Sequence, residues 1–311
     1  MICDDSFEVS PVQANQRLDC VLLNQYNTTS RAFCRQAIEN HQVLVGGQVR
    51  EKGYKVHVCD RVIVLKLKER SDQKVQPDSS LALEIVFEDA ALVAVNKPAG
   101  IAVHPLSSEE RGTLMNGLVA RYPELATLGD QPLMAGALHR IDTETSGVVI
   151  AARSQEAFEA LREQFTEQRV EKIYWALVEG HIALPAHVTH HLAHHPGLPY
   201  CKMVDARTLS ENVRQFPAET AYRPLELRGK YTLLEVTIFT GVTHQIRCHL
   251  ALAGFPIVND VRYGARVVQG CTRHFLHARE IRFQHPLNGQ ACRVQSPLTP
   301  DFKAFLKNTC T

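Results

Sequence analysis

The sequence predicts an α+β protein of two domains, and three observations lead there. Short runs of apolar and β-branched residues, such as Leu92–Asn96, Val148–Ile150 and Tyr231–Ile238, recur along most of the chain and read as strands. Apolar residues at helical spacing mark other stretches, notably Leu18 to Ile38 and Ala157 to Phe165. A polar stretch, E-R-S-D-Q-K-V-Q-P-D-S-S from Glu69 to Ser80, separates a small basic segment from the rest and reads as a linker. The 311 residues suffice for a main domain plus a smaller one.

Composition narrows the function classes. A hydrophobic fraction of 45% and a charged fraction of 22% are those of an ordinary globular chain. The net charge of +1 advertises no nucleic-acid partner, so an RNA site has to come from local segregation of charge. The nine cysteines are scattered, odd in number and form no C-x-x-C. That usage points to reduced thiols and a cytoplasmic location. Asp4, Asp5 and Glu8, with no apolar core beside them, are unlike a signal peptide. No apolar run reaches the roughly 18–20 residues of a membrane span.

Residues 1–14 are expected to be a loose lead-in. From there Leu18, Val21 and Leu22, then Phe33, Ala37 and Ile38, give two helices, with Ser30 as the N-cap of the second. Val43-Leu44-Val45, a Gly46-Gly47 turn and Val49 give a hairpin, and Val56, Val58, Val62, Val64 and Leu65 supply further strand. Residues 15–70 thus form a small α+β domain. In it Arg17, Arg31, Arg35, Arg50, Lys52, Lys55, Arg61, Lys66, Lys68 and Arg70 outnumber the acids Asp19, Glu39, Glu51, Asp60 and Glu69. Arg31 and Arg35 are four apart and share a helix face, which suits RNA phosphates or, more plainly, solvent. Residues 71–80 are the linker, and residues 81–300 the main domain. Leu83–Asp89 and Leu92–Asn96 read as strands, Thr113–Tyr122 and Gln155–Gln168 as helices, and Lys172–Gly180 and Tyr231–Ile238 as strands. Residues 301–311 are a tail or end helix.

The central stretch is L-H-R-I-D-T-E-T-S-G-V-V-I, Leu138 to Ile150. Gly147 lets a loop come close to the strand formed by Val148, Val149 and Ile150. Asp142 is presented just ahead of that rigid element, flanked by His139 and Arg140. A carboxylate held this way suits a nucleophile or base, and equally the capping of its own turn. H-R-I-D-T-E-T-S-G resembles the H-R-L-D-x-x-T-S-G signature of the RluA-type pseudouridine synthases, with Ile141 for the usual Leu. Other segments are similar to that family's: N-K-P-A-G and A-V-H-P (Asn96 to Pro105), K-I-Y-W-A-L-V-E-G (Lys172 to Gly180), G-V-T-H-Q-I-R-C-H-L (Gly241 to Leu250), P-I-V-N-D-V-R-Y-G (Pro256 to Gly264), L-H-A and F-Q-H-P. Val242 stands where the family has its first Arg. R-L-D at Arg17, S-R at Ser30 and V-L-V-G-G-Q-V resemble the S-four-like RNA-binding domain that often precedes the catalytic domain in this family. The matches run from Arg17 to about Pro300.

The resemblance implies a catalytic domain on a mixed, mainly antiparallel β-sheet with flanking helices, which isomerises specific uridines in structured RNA to pseudouridine. Asp142 would be the catalytic aspartate, attacking the ribose or uracil or abstracting a sugar proton. Burial alone would raise its pKa, so an opposing cation is required, and Arg247 is the candidate. Tyr174 would stack on the uracil, although a strand tyrosine also suits plain core packing. His139, Arg140 and Leu276 would contact the target nucleotide, with Arg140 filling the gap left by a flipped base. Arg17, Arg31 and Arg35 would bind RNA. The reaction has no redox change and no group donor, so neither cofactor nor metal is expected. His187, His190, His191, His194 and His195 with Cys201 invite a zinc reading, but they alternate along an extended segment and have no second ligand group at zinc-finger spacing. Ribosomal RNA is the expected partner, transfer RNA the alternative, and the protein is expected to act as a cytoplasmic monomer without a membrane. Two competing readings come from other classes: a non-catalytic RNA-binding or assembly protein on the same fold, and a metal-dependent hydrolase built on the histidines.

Overall fold

Strands carry the structure, as the apolar runs imply. The computed structural model describes residues 1–198, 202–209 and 213–309 and divides into two units, Met1–Lys74 and Val75–Thr311.

The first unit contains β1 (Ile2–Glu8), α1 (Leu18–Gln25), α2 (Arg31–Glu39), β2 (Val43–Val45), β3 (Gln48–Val49) and β4 (Arg61–Leu67), with an antiparallel sheet ordered β1-β4-β2-β3. The lead-in expected over 1–14 is therefore an edge strand instead. Asp4, Asp5 and Ser6 hide it in the sequence, because an edge strand needs little more than backbone pairing and a few apolar anchors. Here Ile2 and Phe7 pack on the core, and the Phe7 ring meets Tyr26 edge-on at 6.0 Å. Ser30 caps α2 by accepting the Phe33 N–H at 3.2 Å. Of the expected later strand only Arg61–Leu67 pairs; Val56 is buried in a loop and Val58 is exposed in a turn.

The polar stretch 71–80 is not free along its length. Arg70–Asp72 forms a 3-10 turn whose Glu69 and Asp72 cap one another. From Val75, which is buried, the chain lies on the second unit: Asn116 donates to the Gln76 carbonyl at 2.7 Å, and the Asp78 N–H donates to the Asn116 carbonyl at 3.0 Å. One apolar side chain and a few backbone bonds are enough to dock a polar segment.

The second unit is built on a sheet whose strands, in chain order, are β5 (Ile85–Glu88), β6 (Leu92–Lys97), β7 (Ser146–Ala152), β8 (Glu171–Glu179), β9 (Ala186–Val188), β12 (Thr220–Arg228), β13 (Tyr231–Ile238), β14 (Leu276–Gln284) and β15 (Ala291–Gln295). A separate pair, β10 (Leu192–His194) and β11 (Met203–Asp205), lies outside it. The order is β5-β6-β7-β14-β8-β13-β12-β9, with β15 beside β14. Among the described strands only β7 and β14 run parallel; the other pairs are antiparallel, so the sheet is mixed and mainly antiparallel. The helices are α3 (Leu114–Arg121), α4 (Gln155–Thr166), α5 (Gln245–Leu252) and α6 (Pro300–Asn308).

Every residue of β7 is buried, which is why its sequence is a continuous apolar run rather than an alternation. Fully burying each Val or Ile there contributes about 1.5–3 kcal/mol. The C-terminal segment is not a loose tail, since Phe302 and Leu306 of α6 sit in a second core cluster with Phe275 and Leu233. The histidine-rich stretch is two short strands in different sheets, not one extended segment. His187 lies on β9 and His194 on β10, while Cys201 falls outside the described residues. Among the described residues no group of three or more His, Cys, Asp or Glu side chains is placed to hold a metal ion. Nor is any described helix long and apolar enough to cross a membrane.

Candidate active site

The parallel pair β7 and β14 creates the site. At Gly147 the strands come so close that an added Cβ would lie 2.3 Å from the Ala278 carbonyl oxygen and 2.5 Å from the Ala278 nitrogen. Its φ of +117° also lies in the region that glycine favours. Ala278 pairs with Gly147 on one side and with Tyr174 on the other. A glycine and an alanine therefore separate the Asp142 loop from the Tyr174 ring in one row of the sheet.

The loop carrying Asp142 is fastened from several directions. Its carbonyl at Thr143 accepts the Gly100 N–H at 2.9 Å and the Lys97 ammonium at 3.0 Å. Lys97 is fully buried at the end of β6 and also donates to the carbonyls of Pro98 and Ile101 at 2.8 Å. Burial pushes its pKa down to about 7. On the far side, Thr145 Oγ1 meets His274 Nε2 at 3.0 Å, and Ser146 Oγ meets His277 Nδ1 at 2.9 Å. Both imidazoles are pushed down to about 4, chiefly by burial, so they are neutral near pH 7.

Asp142 keeps 24% of its side-chain surface exposed, while Arg247 on α5 keeps 7%. Arg247 Nη1 donates to Asp142 Oδ2 at 2.9 Å. Its other two nitrogens grip Asp260, Nε at 2.7 Å and Nη2 at 2.9 Å. The two-pronged grip that a guanidinium can offer a carboxylate is thus spent on buried Asp260, and Asp142 receives one bond from a guanidinium already fixed in place. The Tyr263 ring lies 5.1 Å from the guanidinium carbon and completes the seat. Burial pushes the Asp142 carboxyl up, but the charges of His244 and Arg247 and the Arg247 hydrogen bond outweigh it, leaving the pKa below the usual range. His244 itself has a lowered pKa, mainly from burial. Near neutrality Arg247 is therefore the cation that keeps Asp142 ionised.

The other expected residues fall as follows. Tyr174 is buried on β8, and burial first, then the Asp142 charge, drives its hydroxyl pKa well up, so it stays protonated. Leu276, the first residue of β14, is buried opposite Ala176 of β8. Arg140 is exposed beside Asp142. His139 is engaged inside the fold, which argues against the expected contact with a nucleotide: its Nε2 accepts the Ile150 N–H at 3.1 Å and its ring stacks on Phe165 at 5.3 Å. Burial pushes that imidazole down to about 3. Val242, in the place of an arginine, packs against the apolar cluster of Leu192, Met203 and Tyr263.

Arg17, Arg31 and Arg35 meet at Asp19, whose side chain is fully buried. Their Nε atoms donate to it at 2.9, 3.2 and 3.0 Å. Between 43 and 49% of each arginine side chain remains exposed, and Arg31 Nη2 also donates to Cys20 Sγ at 3.4 Å. Asp19 is the organiser of this basic face, not merely an acid counted against it.

Sequence reasoning quoted Asp260, His244, Tyr263 and Lys97 only inside motifs and assigned them nothing. Their signal was an Asp, a His, a Tyr and a Lys in segments otherwise explained by turns and strands. Asp19 was visible too, but as a charge of the wrong sign.

The RNA pseudouridylate synthase family matches residues 91–252, and the S4 domain family matches residues 16–62. The chain is 32% identical to an uncharacterized RNA pseudouridine synthase of Bacillus subtilis, over 96% of each chain. It is 32% identical to the ribosomal large subunit pseudouridine synthase C of Pasteurella multocida, over 96% of this chain and 91% of that one. It is 33% identical to the ribosomal large subunit pseudouridine synthase D of Nitrosomonas europaea, over 94% and 84%. Among solved structures, human RNA pseudouridylate synthase domain containing 1 superposes with a TM-score of 0.58 at 26% identity, covering 74% of this chain and 90% of that one.

Proposed function

The chain belongs to the RNA pseudouridylate synthase family, of RluA type with an S4 domain ahead of the catalytic domain, and from that premise we propose that it acts on uridines of large-subunit ribosomal RNA, with Asp142 as the catalytic carboxylate. The observation that carries the assignment is the single Arg247 bond to an exposed edge of Asp142, with Arg247 itself held by buried Asp260. A carboxylate kept ionised, partly open to solvent and fixed on a loop fastened to a rigid strand is what the cleavage of the C1′–N1 bond requires. Tyr174, held protonated one strand beyond Ala278, stacks on the uracil, and Leu276 packs against its other face. Exposed Arg140 occupies the helical gap when the uridine is flipped out.

In the first unit the exposed edges of Arg17, Arg31 and Arg35 contact phosphate. Their geometry is set in advance by Asp19, so little side-chain entropy is lost on binding. The names of the Pasteurella and Nitrosomonas relatives support large-subunit ribosomal RNA over transfer RNA. The cysteines among the described residues are free thiols, which suits a reducing, cytoplasmic compartment.

The test is to map pseudouridines in the RNA of cells with the protein, without it, and with Asp142→Asn in its place. Loss of one or more positions in large-subunit ribosomal RNA, not restored by the variant, is the expected result. Loss confined to transfer RNA would overturn the substrate assignment, and restoration by the variant would overturn the role of Asp142.

A further inference from the structure

We propose that His244 is a substrate-facing hydrogen-bond donor whose Nε2–H binds the ribose 2′-oxygen of the target uridine beside Asp142. This rests on the reading of Asp142 as the catalytic carboxylate.

The first observation is position. His244 Nε2 lies 3.9 Å from Asp142 Oδ2, too far for a direct hydrogen bond and close enough that one substrate atom can touch both. The second is the direction in which the ring is held. Tyr263 Oη accepts the Met203 N–H at 2.8 Å, and among the described residues the acceptor for its own proton is His244 Nδ1 at 3.0 Å. That bond makes Nδ1 the acceptor of the ring and leaves the proton of the neutral imidazole on Nε2, on the side of Asp142. The lowered pKa, caused mainly by burial, keeps the imidazole neutral near pH 7, so it donates without adding charge.

The third observation is backbone strain. His244 is the N-cap of α5 with φ of +52° and ψ of 20°, and its side chain caps no amide of the helix. A non-glycine residue held in the left-handed region, where its side chain does nothing for its own helix, is over-determined by its surroundings. Here those are the Tyr263 hydroxyl on one nitrogen and the site on the other. A helix start alone would be better served by Asn, Asp or Ser.

The chemistry of the nucleotide selects the oxygen. The bond that breaks is C1′–N1. A carboxylate acting at the sugar, as a nucleophile at C1′ or as a base toward the C2′ proton, lies next to the 2′-oxygen either way. A donor less than 4 Å from the same carboxylate oxygen then faces that hydroxyl. The hydrogen bond transfers no proton. It fixes the sugar against Asp142 and selects RNA over DNA by the one atom that distinguishes them.

The test is a cycle between enzyme and substrate. The probe is a synthetic stem-loop spanning the ribosomal uridine identified by mapping, made with either ribose or 2′-deoxyribose at that one residue. Single-turnover rates at saturating RNA, and the dissociation constant, are measured for the wild type, His244→Ala and His244→Gln. The deoxy substitution should slow the wild type strongly, and its penalty should shrink by about tenfold in His244→Ala, the size of one hydrogen bond. RNA affinity should stay within a few-fold. His244→Gln, which keeps an N–H donor, should regain rate on the ribose substrate only. An equal deoxy penalty in all three enzymes, or a wild-type rate in His244→Ala, overturns the proposal. If His244→Ala does not fold, His244→Phe, which keeps the bulk of the ring and has no donor, reads the same cycle. Nitrogen NMR of labelled histidine supplies a measurement free of RNA: a proton on Nδ1 rather than Nε2 in the wild type overturns the proposal. Wild-type turnover of the ribose substrate by Asp142→Asn overturns the reading of Asp142 itself, an outcome distinct from additivity in the cycle.

Discussion

Arg247→Met tests the arrangement on which the site depends. Arg247 is 7% exposed and serves two carboxylates, and its three hydrogen bonds span 2.7–2.9 Å. Removing it strands Asp260, which is 2% exposed, as an uncompensated buried charge. Breaking one side of a buried pair in this way costs about 3–5 kcal/mol. Asp142 loses one charge-assisted bond worth about 1.5–3 kcal/mol, and with burial no longer opposed by that cation its carboxyl pKa rises. A lowered carboxyl pKa contributes stability that is present above the unfolded value and lost as pH falls through the folded value. In the variant that contribution is gone, and the acidic limb of activity moves to higher pH. Turnover near neutrality should fall roughly 10²-fold or more, as when a preorganised electrostatic contact is removed. The double variant Arg247→Met with Asp260→Asn should recover about half or more of the lost stability, because no buried charge is left unpaired, and should recover no activity. Urea unfolding gives the stability, and tritium release from uridine labelled at carbon 5 gives the rate across pH. A single variant within about 1 kcal/mol of wild type, or an acidic limb that stays in place, refutes the reasoning.

Other perturbations follow from the same contacts. Asp19→Ala should release Arg17, Arg31 and Arg35 from their shared acceptor. It should lower the stability of the first unit by about 1.5–3 kcal/mol and weaken RNA binding although net positive charge rises; stronger binding in a filter assay would show that only charge matters there. Gly147→Ala would place a Cβ 2.3 Å from the Ala278 oxygen, so the strands must part. The loss should exceed about 3 kcal/mol by thermal unfolding, and wild-type stability would contradict the close approach. Lys97, pushed down to about 7 from 10.5, binds fewer protons folded than unfolded between those values. Wild-type stability should therefore rise with pH in that window, by up to about 1.4 kcal/mol per unit, relative to Lys97→Met. Parallel curves for the two proteins would remove the buried-ammonium account.

Much of this protein is written locally. The Val148–Ile150 run, the Ser30 cap, the Gly46-Gly47 turn and the stripe of α4 each depend on residues within a few positions of one another. Short-range sterics and burial decide such features, so they are legible without the fold. Asp142 and Arg247 were legible for the same reason, as charged residues inside dense local motifs. The family resemblance already pointed to Arg247 as the cation for Asp142, and tertiary structure decided the geometry in which they meet. Residues 142, 247 and 260 come from the loop ahead of β7, from α5 and from the segment after it, and they meet only in the folded chain, a juxtaposition that no local pattern encodes. It also decided that Asp260 takes the stronger grip, that His139 turns inward to Ile150, and that Asp19 gathers three arginines. The edge strand at Ile2–Glu8 was illegible because backbone pairing, not side-chain pattern, holds it. The physical reason is common to all of these. Propensity and periodicity act along the chain, whereas the sign and strength of an electrostatic contact depend on which distant groups share a volume from which water is excluded.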